Sequence, residues 1–126
     1  MNAPTVIEAP LPRIAVIVPA YGVAHLVGEA LASVQAQTFP DWECWVVDDG
    51  APDDVAGAVG PYLADSRIHL LKTASGGVSC ARNQAFAQTR APYIARLDGD
   101  DLLRPRYLER MAAALDGDPE ARIVTC

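Results

Sequence analysis

The chain is predicted to adopt an α/β fold, a mostly parallel sheet flanked by helices, on the strength of three observations. Short apolar runs alternate along the sequence with segments whose apolar residues recur at helical spacing. The runs are apolar throughout instead of alternating, as expected of strands covered on both faces. The loops that follow them are rich in acids and glycines, and a parallel sheet gathers such loops at its carboxyl edge, where ligands bind. Right-handed crossovers follow by default.

Residues 1–12 carry three prolines and no periodicity and are expected to form a loose arm, so the domain is taken as residues 13–126. The first strand is "RIAVIV", followed by a helix with Leu26, Val27, Ala30, Leu31 and Val34 on one face. "CWVV" is the second strand. Asp53 and Asp54 are candidate caps for a weaker helix with Val55, Val59 and Leu63 on one side, in which Gly57 and Gly60 are unfavourable. "IHLL" makes a third strand and "VSCARNQAFAQT" a helix whose Ala81 and Ala85 permit close packing on a sheet. "YIARL" is the fourth strand. Pro105 suits a first helical turn, and Leu108, Met111, Ala112 and Leu115 form the stripe of the helix behind it. A last strand is expected to begin at Ile123, so that Cys126 falls inside it.

A chain of 126 residues has the size of one domain and buries roughly two-thirds of its unfolded surface. With 51% hydrophobic and 21% charged residues it has a globular composition. The net charge of -6 argues against a nucleic-acid partner, which requires basic patches; any bound phosphate would call for a metal. The three cysteines, Cys44, Cys80 and Cys126, fit no close-spaced metal pattern and cannot all pair within the chain, so reduced thiols are expected. The first residues lack the basic start and apolar core of a signal peptide. The apolar stretch from Ile14 to Ala32 is interrupted by Pro19, His25 and Glu29, so no span is read there. The expectation is a cytoplasmic chain, peripheral to a membrane at most in a longer protein.

Four loops should share the carboxyl rim: "PAYG" at 19–22, "DDGAPDD" at 48–54, "KTASGGVS" at 72–79 and "DGDD" at 98–101. Each has an ordinary structural explanation. Asp48 and Asp49 suit a turn, Gly76 and Gly77 a change of direction, Tyr21 and Arg82 a solvated surface, Asp98 a turn and Asp101 a helix cap. His25 and His69 are read as structural or solvated. Two acidic clusters on one rim ask for more. Two carboxylates about 5 Å apart repel by roughly 3 kcal/mol at an effective dielectric near 20, and Asp98, Asp100 and Asp101 fall within four consecutive positions. A hard cation such as Mg²⁺ or Mn²⁺ takes one or two such carboxylates and completes its shell with water and substrate phosphate. Glycine-rich backbone near Val78 offers N–H groups to an anion. An ionised Asp after the second strand can only accept hydrogen bonds, which suits a base N–H or a ribose hydroxyl. These features describe a nucleotide-diphosphate pocket, but neither a dinucleotide fingerprint nor a P-loop, since no Gly-x-Gly-x-x-Gly and no Gly-Lys-Ser/Thr is present.

The motifs "VIVPAYG", "LASVQAQTFPDWECWVVDDG", "GGVSCARNQAF" and "YIARLDGDDLLRP", in this order and spacing, resemble the N-terminal nucleotide-binding half of family 2 glycosyltransferases with the Rossmann-like GT-A fold. The match runs from about Arg13 to the end. The resemblance implies a nucleotide-sugar donor, often a uridine diphosphate sugar, bound with Mn²⁺ or Mg²⁺, and transfer with inversion. Carried over by position, it implies that Pro19, Ala20 and Tyr21 line the base, that Asp49 hydrogen-bonds it with Asp48 in support, that Gly77 belongs to the nucleotide-sugar site, and that Arg82 lies near the diphosphate or braces the acidic loop. It further implies that Asp98 contacts the ribose, Gly99 lets the backbone approach, and Asp100 ligates the metal with Asp98 as second choice. Asp101 is expected to serve the next helix; Arg104 receives no definite role.

Two positions depart from the family pattern: Gly22 stands where Asn is frequent, and Ala51-Pro52 replaces Ser-Thr. Inverting transfer needs a general base, which the resemblance places on a motif beyond Cys126. The chain is therefore expected to be the donor half of a longer enzyme, truncated at its C-terminus and inactive alone, with the sugar, the acceptor and processivity unspecified. Two alternatives stay open: a sugar-nucleotidyltransferase-like enzyme, and a non-catalytic domain with an acidic, ion-binding rim. An uncovered strand edge beyond "YIARL" would favour edge-to-edge self-association.

Overall fold

The structure, a computed structural model, describes residues 12–73 and 78–117, with the side chains of residues 78–82 outside that description. The element order is β1 (Ile14–Pro19), α1 (Ala24–Gln35), β2 (Trp42–Asp48), α2 (Val55–Val59) with a 3-10 turn over Gly60–Ala64, β3 (Ile68–Lys72), α3 (Val78–Gln88), β4 (Tyr93–Arg96) and α4 (Tyr107–Gly117). The four strands form one sheet in the order β3-β2-β1-β4. All three pairings are parallel, which is the expected fold class. The arm and the strand expected from Ile123 lie outside the described residues.

Residues Ile14 to Val18 of β1 are wholly buried, because this strand is central and has helices over both faces. Its even-numbered residues Ile14, Val16 and Val18 face a core shared with Val27 and Leu31 of α1, Val55 and Val59 of α2, and Leu108 and Met111 of α4. Ala15 and Ile17 face the other side with Val47 and Ala85 of α3. Ala85 is fully buried there, so one expected small-residue contact is present; the side chain of Ala81 is not described. Each Val, Leu or Ile buried in this way stabilises the fold by about 1.5–3 kcal/mol relative to exposure.

The apolar stripe of α1 has Val27, Ala30, Leu31 and Val34 buried, as its spacing predicts. The helix after β2 differs from expectation. Val55 and Val59 are buried, but Leu63 is 41% exposed. Pro61 has no N–H for the next helical bond, so the chain tightens into the 3-10 turn at Gly60 and turns Leu63 away from the core. The helix after β4 starts at Tyr107, leaving Pro105 just ahead of it, where its carbonyl accepts the Thr38 N–H at 2.8 Å. No helix among the described residues is long and apolar enough to cross a membrane.

Candidate functional site

The strand register brings the rim loops together. Pro19 pairs with Val47 and Ile17 with Arg96, and the ladder continues through Ala20 N–H to the Val47 carbonyl at 2.9 Å and Leu97 N–H to the Ile17 carbonyl at 3.0 Å. The loops after β1, β2 and β4 therefore leave the sheet side by side. The strand order also reverses here, since the chain runs outward from β1 through β2 to β3 and returns to place β4 on the other side of β1. In such sheets the carboxyl edge at the reversal is the usual place for a ligand.

Asp98, Asp100 and Asp101 each present a carboxylate oxygen, all within 4.8 Å of one another, and all three residues are exposed. The backbone folds them together through a turn in which the Asp101 N–H donates to the Asp98 carbonyl at 2.9 Å. Among the described residues, Asp98 alone of the three has a cationic neighbour in an ion pair, Arg96, at 3.4 Å and about half exposed. An oxygen-only donor set of this kind suits a hard divalent cation. The fold confines Gly99 between these acids and the neighbouring loop: a Cβ there would lie 2.6 Å from Val23 Cγ2 and 3.2 Å from the Pro19 carbonyl oxygen. Gly99 thus serves a close contact between two loops. Asp101 lies well ahead of α4 and does not cap it, contrary to expectation. That helix is capped instead by Gln37, whose Oε1 accepts the Leu108 N–H at 3.0 Å. Arg104 is exposed, and its carbonyl accepts from Gln37 Nε2 at 2.7 Å. A cavity of about 440 Å³ adjoins the acidic loop, lined by Arg96, Asp98, Asp101, Leu103 and Tyr107 among others.

On the side of β2, Asp48 Oδ1 accepts the Ala51 N–H at 2.9 Å, a turn made by an Asp side chain on its own backbone. Asp49 Oδ1 accepts the Thr73 hydroxyl at 2.6 Å, which ties this loop to the end of β3. Ala20 is 1% exposed and belongs to the core, while Tyr21 is 60% exposed and Pro19 lies between these extremes. Gly22 has φ of 73°, in the left-handed region that Gly and Asn tolerate best; the departure from Asn therefore preserves the backbone. Gly77 and the side chain of Arg82 lie outside the described residues.

Two residues that organise the site lie within the motif and rim-loop stretches but carry no site role there. One is Gln37, 8% exposed. The other is Asp53, a candidate cap by its position in the sequence. Asp54 caps α2, accepting the Gly57 N–H at 2.9 Å, while Asp53 reaches across to the loop after β1. Its Oδ2 accepts the Ala24 N–H at 2.7 Å and its Oδ1 the Gly22 N–H at 3.0 Å. These bonds, that from Ala24 foremost, hold its carboxyl below the ordinary range and keep it ionised.

The chain matches the family model described as Glycosyl transferase family 2 over residues 15–126. It is 35% identical over 102 residues to the uncharacterized glycosyltransferase EpsJ of Bacillus subtilis strain 168, covering 80% of this chain and 30% of that protein. S. aureus TarS 1-349, whose crystal structure is in complex with UDP-GlcNAc, superposes with a TM-score of 0.78 at 28% identity, over 90% of this chain and 37% of that one. The mannosyltransferase PcManGT of Pyrobaculum calidifontis, in complex with GDP-Man and Mn²⁺, gives 0.77 at 28% identity, over 87% and 34%. The chain thus spans about a third of the length of each of these proteins. The parallel sheet, its flanking helices and these likenesses make the fold the N-terminal part of GT-A, and the chain belongs to glycosyl transferase family 2.

Proposed function

We propose that this chain binds a nucleotide-diphosphate sugar with a divalent metal, as the donor-binding part of an inverting glycosyltransferase that moves a sugar to an acceptor hydroxyl. The observation that carries the reading is the acid cluster of Asp98, Asp100 and Asp101 on the same rim as Asp48 and Asp49. The donors named in the structures of similar proteins, UDP-GlcNAc and GDP-Man with Mn²⁺, support it.

In this reading Pro19 and Tyr21 wall the base, with Ala20 contributing backbone only because its side chain is in the core. Asp49 accepts from the base while its bond to Thr73 fixes its rotamer, and Asp48 holds the turn that presents it. Asp98 faces the ribose. Asp100, with Asp98 as second choice, holds Mn²⁺ or Mg²⁺; when bound, that ion neutralises charge developing on the departing diphosphate. Gly77 and Arg82 are assigned to the diphosphate by sequence position. The function proposed for this chain is donor binding; activation of the acceptor hydroxyl is assigned to a carboxylate beyond residue 126.

Calorimetric titration with uridine and guanosine diphosphates, with and without Mn²⁺, tests the reading. Metal-dependent nucleotide binding by the wild type, lost at least tenfold in Asp100→Ala, is expected. No nucleotide binding, or binding untouched by Asp100→Ala, would overturn it. A melt shifted by metal and no further by nucleotide would identify the cluster as an ion site alone.

A further inference from the structure

The loop from Ala20 to Ala24 is held at three points that do not belong to it. Ala20 N–H donates to the carbonyl of Val47 at the end of β2. Gly22 and Ala24 N–H both donate to the single carboxylate of Asp53, which lies 31 and 29 residues further along the chain. On the opposite side, Val23 and the Pro19 carbonyl abut Gly99. Tyr21 sits between the first two anchors, and its ring is, among the described residues, one of the large apolar groups left in solvent. A ring held out by a backbone pinned on both sides is arranged for a contact beyond the domain's own core.

α1 gains nothing from its own sequence at this end: its N-cap position is Val23, with no side-chain cap bond, and its first turn has no acid. Asp53 supplies both, as an acceptor and as a negative charge at the positive end of the helix. The carboxylate comes from the same loop as Asp48 and Asp49. The geometry points to Asp53 as a positioning residue for the donor site, one that fixes Tyr21 relative to Asp49 so that ring and carboxylate meet opposite parts of the same nucleotide base. This rests on the donor-binding reading above and adds a residue that touches no ligand.

A purely structural cap and a positioning residue differ in a double-mutant cycle. The dissociation constant for uridine or guanosine diphosphate with Mn²⁺, whichever the wild type binds more tightly, is measured for Asp53→Asn, Tyr21→Ala and the double variant, with Asp54→Asn as a control cap. Asp53→Asn is expected to weaken nucleotide binding at least fivefold in the wild-type background and less than twofold when Tyr21 is already Ala, because its effect runs through that ring. Asp54→Asn should stay within twofold. Amide hydrogen exchange at Gly22 and Ala24 should accelerate at least tenfold in Asp53→Asn with or without nucleotide. Equal losses from Asp53→Asn in both backgrounds, or unchanged binding, would overturn the inference while leaving donor binding intact. Absence of nucleotide binding by the wild type would instead bring down the donor reading, and the inference with it.

Discussion

Gln37 closes the amino end of the helix that carries Leu108, accepting that residue's N–H at 3.0 Å. The same side-chain amide donates to the Ser33 carbonyl at 3.1 Å and to the Arg104 carbonyl at 2.7 Å. A buried amide with three partners joins the end of α1, the segment after the acid cluster and the start of α4. Replacing it by Leu leaves one N–H and two carbonyls without their partners, at about 1–3 kcal/mol for each group that water cannot reach. Gln37→Leu is expected to lower stability by about 3 kcal/mol, read as a fall in the urea midpoint at constant slope. A midpoint unchanged within error would show that the network contributes nothing net.

Gly99 makes the second prediction. A Cβ at this position falls 2.6 Å from Val23 Cγ2, closer than carbon atoms can approach, so Gly99→Ala must push the loops after β1 and β4 apart. The expected cost is about 1–3 kcal/mol, the range of overpacked sites. Shortening Val23 to Ala removes the struck methyl, so the Val23→Ala, Gly99→Ala double variant should be more stable than the sum of the single effects predicts. Strict additivity in a thermal melt would contradict this contact.

The Cys44 thiol, fully buried in β2, has its pKa pushed far up by burial, with smaller contributions from Asp65 and Glu43. Only a thiolate reacts readily with disulfide reagents. At pH 8 this position should remain unmodified in the folded protein and react as the chain unfolds in urea, followed by peptide mass mapping so that the other cysteines do not interfere. Labelling of Cys44 before the unfolding transition would refute its placement.

Much of this molecule can be read from sequence because its signals are long and repeated. The stripes of α1 and α4 and the apolar run of β1 each rest on several residues that agree, so a local exception cannot hide them. Leu63 departs from its helical spacing because one proline, Pro61, outweighs it. Asp101 was expected to cap α4, and Asp53 to cap a helix beside it in sequence, because capping is ordinarily local. Here the caps come from Gln37 and Asp53, 71 and 29 residues away from the N–H groups they accept. Tertiary capping of this kind leaves no spacing to detect. Gly99 was legible as a close-approach glycine, but what approaches it is Val23.

Acid provides the last prediction. Asp65, at the entry to β3, is held by Arg67 from side chain and backbone, with Nη2 to Oδ2 at 3.0 Å, Nε to Oδ1 at 3.1 Å and N–H to Oδ1 at 3.0 Å. The guanidinium also lies over the Trp42 ring, 3.8 Å from its centroid. The Arg67 hydrogen bond, foremost, draws the Asp65 pKa down to about 2. A carboxyl whose folded pKa is depressed binds protons less well folded than unfolded, so its stabilisation is complete above the unfolded pKa near 3.9 and disappears as pH falls through about 2. Solvent screening of this partly exposed pair reduces the contribution to about 1 kcal/mol. The stability difference between wild type and Asp65→Asn, from urea melts at successive pH values, should be constant above pH of about 5 and shrink toward pH of about 2. Arg67→Ala should weaken that pH dependence, leaving the part that the residue-67 N–H and Gln35 supply, and, by baring Trp42, lower stability at every pH. A difference that grew on acidification would have the wrong sign for this pair.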